Sequence, residues 1–104
     1  MATLTQALAR RAAPTTSTTL YTVPSTTTIT VVSNIVLANA ATSASTATIA
    51  IDGIAVVPAV SIPANSVIGF DMKQVIPANA TPKVITGFAS TTAVSIHISG
   101  VEIA

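Results

Sequence analysis

The chain lacks cysteine and tryptophan, and of its 104 residues only 7% are charged and 3% aromatic. Without cysteine it has neither a disulfide framework nor a thiolate metal site. A typical soluble domain has about 25% charged residues, so threonine and serine hydroxyls must keep much of this surface hydrated. Such a surface repels its neighbours only weakly. This favours a protein that packs beside many others over the alternative, a freely diffusing Thr/Ser-rich monomer.

Three further features are missing: a basic patch, an apolar run long enough to span a membrane, and a phosphate-binding loop. The net charge is +1, and the adjacent pair Arg10-Arg11 is too small for the several phosphate contacts of nucleic-acid binding. The longest apolar candidate, 49–62, contains Asp52 and Pro58, whereas a membrane-spanning helix needs about 20 predominantly apolar residues. Four scattered glycines form no phosphate-binding loop. We therefore expect neither nucleic acid nor membrane as a partner.

Valine, isoleucine and threonine together supply 42 of the 104 residues, and β-branched side chains favour strands. The longest such run, 27–38, predicts a central strand. Because side chains alternate across a strand, we expect one face to point into a core of small aliphatic groups. That face comprises the odd-numbered residues Ile29, Val31, Ser33, Ile35 and Leu37.

Turn signals divide the rest of the chain. Asp52-Gly53 predicts a tight hairpin turn, and Pro58 indicates an edge strand or a bulge. A pattern of aliphatic residue, proline, small residue and polar residue occurs three times, at 23–26, 62–65 and 76–79, and predicts three similar corners. Gly100 lies where the apolar alternation reverses, which suggests a β-bulge. The further predicted strands are 20–23, 46–52, 54–60, 67–71, 83–89 and 93–103.

The first 14 residues, MATLTQALARRAAP, differ from the rest. Alanine, leucine, glutamine and arginine favour a helix, and Leu4 and Leu8 would share one helical face. A helix of about nine residues is marginal alone, so it would order against a partner; a frayed terminus and a targeting peptide are the alternatives. We predict a docking arm and linker over 1–17 and an all-β domain over 18–104, an antiparallel β-sandwich of jelly-roll or immunoglobulin-like type.

The residues that could carry chemistry are few and scattered. His97 is the single histidine and has no neighbouring ligands in sequence for a metal. Asp52, Asp71 and Glu102 could meet only by folding, and no serine is placed for a triad with an oriented histidine base. We expect no enzymatic activity, no cofactor and no metal.

Several segments resemble a group of small virion proteins of tailed bacteriophages. They are TTLYTVPSTTTITVVSNIVLAN, the strand pair around Asp52-Gly53, SIPANSVIGFDM and the terminal SGVEI, so the resemblance covers roughly 18–103. Its motifs are structural and contain no catalytic signature. It implies a β-sandwich that serves as a building block of the virion, made in the cytoplasm of the host bacterium.

Members of this group occur on capsids and on tails, so two classes of function follow from the resemblance. The first is a capsid decoration or cement protein on the outside of the head. It would bind the major capsid protein and neighbouring copies of itself, with a trimer favoured, and the docking residues would be Leu4, Leu8, Arg10 and Arg11. The second is a recognition module of a tail tip or fibre, with contacts through 39–45 and 91–92. A tail or collar subunit is a further alternative.

Overall fold

The computed structural model describes residues 3–104, and its regular elements are strands. Among these residues there is no helix, and therefore none long and apolar enough to cross a membrane. In chain order the strands are β1 (Thr3–Ala12), β2 (Thr18–Thr22), β3 (Ile29–Asn39), β4 (Ser45–Ile51), β5 (Ile54–Ile62), β6 (Ser66–Ile76), β7 (Val84–Ala89) and β8 (Val94–Ile103).

The strands pair antiparallel in a nested order. β1 pairs with β8, β2 with β7, β3 with β6 and β4 with β5, while β3–β8 and β4–β7 pairs complete two sheets. The first sheet has the order β1-β8-β3-β6 and the second β2-β7-β4-β5. Nested pairing of this kind is a long hairpin rolled into two layers, which is the jelly roll. The predicted β-sandwich is confirmed, and its strand order is that of the jelly roll.

The three predicted proline corners all lie where the chain passes from one sheet to the other. They connect β2 to β3, β5 to β6 and β6 to β7. In each corner the aliphatic residue before the proline is buried: Val23, Ile62 and Ile76 are at most 2% exposed. The three segments are therefore corners, as predicted, and each closes an end of the sandwich with a buried aliphatic side chain.

The β4–β5 hairpin has the predicted tight turn. Asp52 and Gly53 both have positive φ, 54° and 78°, as a two-residue hairpin turn of type I′ requires. The Asp52 carboxylate forms an ion pair with Lys83, with 3.4 Å between Oδ1 and Nζ. Pro58 lies in β5, an edge strand with register shifts, so both of the features that this proline indicates are present.

The predicted N-terminal helix is wrong for the described residues, since 3–12 form β1 and pair along β8. Met1 and Ala2, the first residues of the predicted arm, lie outside the described part of the chain. Helix propensity favours alanine over an average residue by only a few tenths of a kcal/mol. Pairing with β8 satisfies backbone groups that would otherwise be open at a sheet edge, and Leu8, Ala9 and Ala13 are buried against the core.

The face prediction for the central strand is correct only after a bulge. From Ile35 onward the odd-numbered residues are buried, but Thr30 and Val32 are fully buried before it. The register against β6 and β8 shifts between Val32 and Asn34, so Ser33 reverses the side-chain alternation. The largest fully buried side chains are isoleucine, leucine and valine together with Thr30, which confirms a core of small aliphatic groups.

Two bulges lie close to Gly100, on the neighbouring strands and not in β8 itself. The register of β8 shifts against β1 beside Leu8 and against β3 beside Ser33. A Cβ atom on Gly100 would lie 2.2 Å from the carbonyl oxygen of Val31 and 2.9 Å from Leu8 Cδ1. Only glycine permits this close approach of two backbones.

Candidate interaction surfaces

The four predicted docking residues do not form one surface. Leu8 is 8% exposed and belongs to the core, whereas Leu4 is 58% exposed near the start of β1. Arg10 is paired with His97 on the outside of the first sheet, and Arg11 is paired with Ile96, whose side chain points inward. Both arginines are solvent-exposed. The strand conformation thus separates residues that a helix would have brought together.

The outer face of the first sheet combines large aliphatic side chains with polar ones, since the register also turns Ser95, His97, Ser99 and Asn34 outward. The strand register places Val101, Val31 and Val75 in one row and Ile103 beside Ile29 in the next. Val75 is 56% exposed. We call this surface the aliphatic face; its large apolar members are Ile29, Val31, Val36, Val67, Val75, Val101 and Ile103.

Charged groups on the aliphatic face lie at its two edges. Arg10 belongs to the edge strand β1, and Asp71 and Lys73 belong to the opposite edge strand β6. Asp71 accepts a hydrogen bond of 3.4 Å from Asn34 Nδ2. The row that contains Arg10 passes through His97 and Val36 to Gly69, so Asp71 lies two residues further along β6. The two central strands, β8 and β3, turn no Asp, Glu, Lys or Arg side chain outward, but they do turn His97, Ser95, Ser99 and Asn34 outward.

The outer face of the second sheet has a different character. The register points six hydroxyl side chains outward, namely Thr19, Thr22, Thr46, Thr48, Ser61 and Thr86. Its large apolar side chains are Val84 and Phe88, and Phe88 is 36% exposed. From the predicted strands, the three aromatic side chains would all be expected in the core. Tyr21 and Phe70 do pack against it, but Phe88 lies on the outer face, so this expectation is wrong for Phe88. The first sheet therefore turns more large apolar side chains outward than the second.

One end of the sandwich is organised around the buried side chain of Asn39. Its Nδ2 donates to the carbonyl oxygens of Ser43 and Ile62, both at 3.0 Å, and of Pro63 at 3.3 Å. Its Oδ1 accepts from the backbone N–H of Ala41 at 2.9 Å. This single side chain joins the β3–β4 loop to the β5–β6 corner. Nothing in the strand pattern distinguished it from the other asparagines.

The β7–β8 loop lies beside the same end. The backbone N–H of Ala40 donates to the carbonyl oxygen of Ala93 at 3.1 Å. In the β5–β6 corner, the backbone N–H of Asn65 donates to the carbonyl oxygen of Ala41, also at 3.1 Å. The loops 39–45 and 91–92, which the sequence suggested as a recognition surface, are therefore neighbours. They present small and hydroxyl-bearing side chains.

The acidic residues have separate partners. Asp52 pairs with Lys83 and Asp71 with Asn34. Glu102 accepts hydrogen bonds from Tyr21 Oη and from Gln6 Nε2. Within residues 3–104 no three His, Cys, Asp or Glu side chains are grouped as a metal site would need, and no pocket is present.

The Tyr21–Glu102 contact links the two sheets at the end opposite to Asn39. Tyr21 Oη also lies 2.8 Å from Thr30 Oγ1, and since the phenol has one proton, which goes to Glu102, Thr30 is the donor in this contact. Burial, and then the hydrogen bond to the Glu102 carboxylate, raise the pKa of Tyr21 to about 12. No buried side-chain nitrogen or oxygen in the described residues lacks a hydrogen-bond partner.

Comparisons of the chain with family profiles, with curated proteins and with solved structures found no match.

Proposed function

We propose that the chain is a non-enzymatic virion structural protein, and specifically a decoration or cement protein on the head of a tailed bacteriophage. The jelly roll is a fold of viral capsid domains, but it also serves lectins and cupins. The proposal therefore rests on the surface more than on the fold. The resemblance of residues 18–103 to phage virion proteins points in the same direction.

The observation that carries the proposal is the contrast between the two outer faces. The aliphatic face exposes Val67 and Val75 by more than half, whereas the second sheet turns mainly hydroxyl groups outward. Contiguous exposed apolar surface marks sites of protein association. Such a surface fits a subunit that packs against neighbouring subunits.

On this proposal the chain acts by binding only the assembled shell. A ligand that binds one state of an equilibrium stabilises that state in proportion to its occupancy. Leu4 and Arg11 remain available to a capsid partner because both are exposed on β1, whereas Arg10, also exposed, belongs to the aliphatic face. Leu8 is excluded from such a role, because it contacts the core.

The pairing of β1 with β8 changes the experiment that tests the docking role. Deletion of residues 1–14 would remove an edge strand, so loss of binding would be hard to separate from loss of folding. The better variants are Leu4→Ser and Arg11→Ser, which alter exposed side chains. Decoration predicts that they fold but coat undecorated heads of the encoding phage less fully than the parent protein. Equal coating by both variants would exclude docking through β1.

Copy number in purified virions tests the location. Quantitative mass spectrometry should find a fixed ratio between the copy numbers of this chain and of the major capsid protein, as expected for a protein that repeats regularly over the head surface. A ratio corresponding to only a few copies per particle would contradict the decoration proposal. It would favour the tail-tip alternative.

A recognition module on a tail tip or fibre is the second candidate. It is favoured by the adjacency of the loops at the Asn39 end, where Ala40 and Ala93 are joined by a hydrogen bond. Binding of host cell-surface glycans to an array would support it, provided that Ser43→Lys and Thr91→Lys reduce the signal. Unchanged binding by both variants would place any contact elsewhere.

A further inference from the structure

We propose that the aliphatic face is the interface with a second copy of the chain. The two copies pack face to face about a two-fold axis that lies in the interface, parallel to the strands. This inference does not depend on the virion proposal, because it follows from the sheet's own surface.

The apolar surface suits such a contact. Val101, Val31 and Val75 form one row, and Ile103 and Ile29 form the next. Face-to-face packing of two sheets brings rows of this kind together at a separation of about 10 Å. Burial of the exposed valines removes apolar area from water, which drives association.

The size of the face meets the requirement of a stable dimer. The first sheet has four strands, which at about 4.8 Å each span about 19 Å. The stretch from Ile29 to Ala38 covers about 33 Å at about 3.3 Å per residue. The product is about 600 Å² per copy, or about 1,200 Å² in total, the lower end of the range for specific interfaces.

The charges at the two edges select the axis. A two-fold axis parallel to the strands places β1 of one copy over β6 of the other. Arg10 then faces Gly69 of the neighbouring copy. Asp71 of that copy lies two residues from Gly69 along β6, a distance of about 7 Å, and is within reach of the arginine side chain. Lys73 lies a further two residues along and meets the uncharged Ala7 and Thr5 side of β1.

The alternative axis, perpendicular to the strands, would place β1 over β1 and β6 over β6. Arg10 would then meet no acidic side chain, because β1 has none. Opposite charges facing each other across an interface favour the correct partner and register. The face is therefore complementary to itself in charge as well as in polarity, and this identifies the occupant as a second copy.

The experiment is a concentration series by sedimentation velocity on the purified full chain and four variants. The parent protein should associate to a dimer. Arg10→Asp and Asp71→Arg should each weaken the dimer about tenfold, because each breaks two symmetric exposed pairs and adds like-charge contacts. The double variant Arg10→Asp/Asp71→Arg should return to within about threefold of the parent, because it restores the pairs in reverse.

Phe88→Ser is the matched control, since it removes the largest apolar side chain from the other outer face. It should leave the dimer unchanged. A parent protein that stays monomeric at the highest concentration, or that forms the trimer which the resemblance favours, would overturn the proposal. So would failure of the double variant to recover while its circular dichroism matches the parent, or loss of association in Phe88→Ser.

Discussion

Replacement of Asn39 by alanine should be among the most damaging single changes in the protein. The side chain is 2% exposed and makes three hydrogen bonds of 3.0 Å or shorter, to the backbone of Ser43, Ile62 and Ala41. Truncation removes all three and leaves backbone groups of two connections without partners.

The expected loss of stability follows from the number of hydrogen bonds that the substitution removes. An intramolecular hydrogen bond contributes about 1 kcal/mol net, and an orphaned buried group costs about 1–3 kcal/mol. We therefore expect Asn39→Ala to lower the free energy of unfolding by about 3–4 kcal/mol. That is a large part of the roughly 5–15 kcal/mol available to a domain of this size, and it corresponds to a fall in Tm of about 15–25 °C.

Equilibrium urea denaturation, followed by far-ultraviolet circular dichroism, measures the difference. Asn34→Ala is the matched control in the same strand. Its amide makes one exposed hydrogen bond of 3.4 Å to Asp71, so it should cost less than about 0.5 kcal/mol. A loss below about 1 kcal/mol for Asn39→Ala, with an unchanged denaturant slope, would refute the assignment of this side chain as the tie between the two connections.

Three further predictions follow from single features of the fold. Gly100→Ala should destabilise the protein by about 3 kcal/mol in thermal melts, because the new Cβ atom would lie 2.2 Å from the carbonyl oxygen of Val31. Gly69→Ala is the control and should be close to neutral, because no atom lies nearer than 3.9 Å to its Cβ position. Because the folded pKa of Tyr21 is raised from 10.0 to about 12, its contribution to stability is fully present below pH 10 and is lost as the pH rises through 12; Tyr21→Phe should flatten this alkaline fall in urea titrations. Deletion of residues 1–13 should expose β8 as an edge and produce aggregation on sizing columns rather than a soluble, folded remainder.

Turn chemistry is the part of this fold that could be predicted from the sequence. Asp52-Gly53 and the three proline corners depend on backbone preferences of a few adjacent residues, and these preferences act within the turn itself. The seven strands after residue 17 were predicted from β-branched runs and alternation, which are also local, although β6 extends beyond the predicted 67–71 through Met72, Lys73 and Gln74.

Features that depend on long-range pairing were missed. The helical preference of 3–12 is weak, and the decisive partner, β8, lies at the other end of the chain. The bulge at Ser33 arises from the registers against two strands at once, so alternation within one strand could not reveal it. The aliphatic face combines side chains of three strands in rows that only the register defines.

Nested pairing has a consequence for synthesis on the ribosome. β1 pairs with β8, so β1 stays unpaired until β8 has left the ribosome. Only the β4–β5 hairpin can close early, because its turn is local. Folding dominated by such distant pairings is slow, and during that wait the twin arginines at 10 and 11 interrupt a strand that could otherwise join the wrong neighbour.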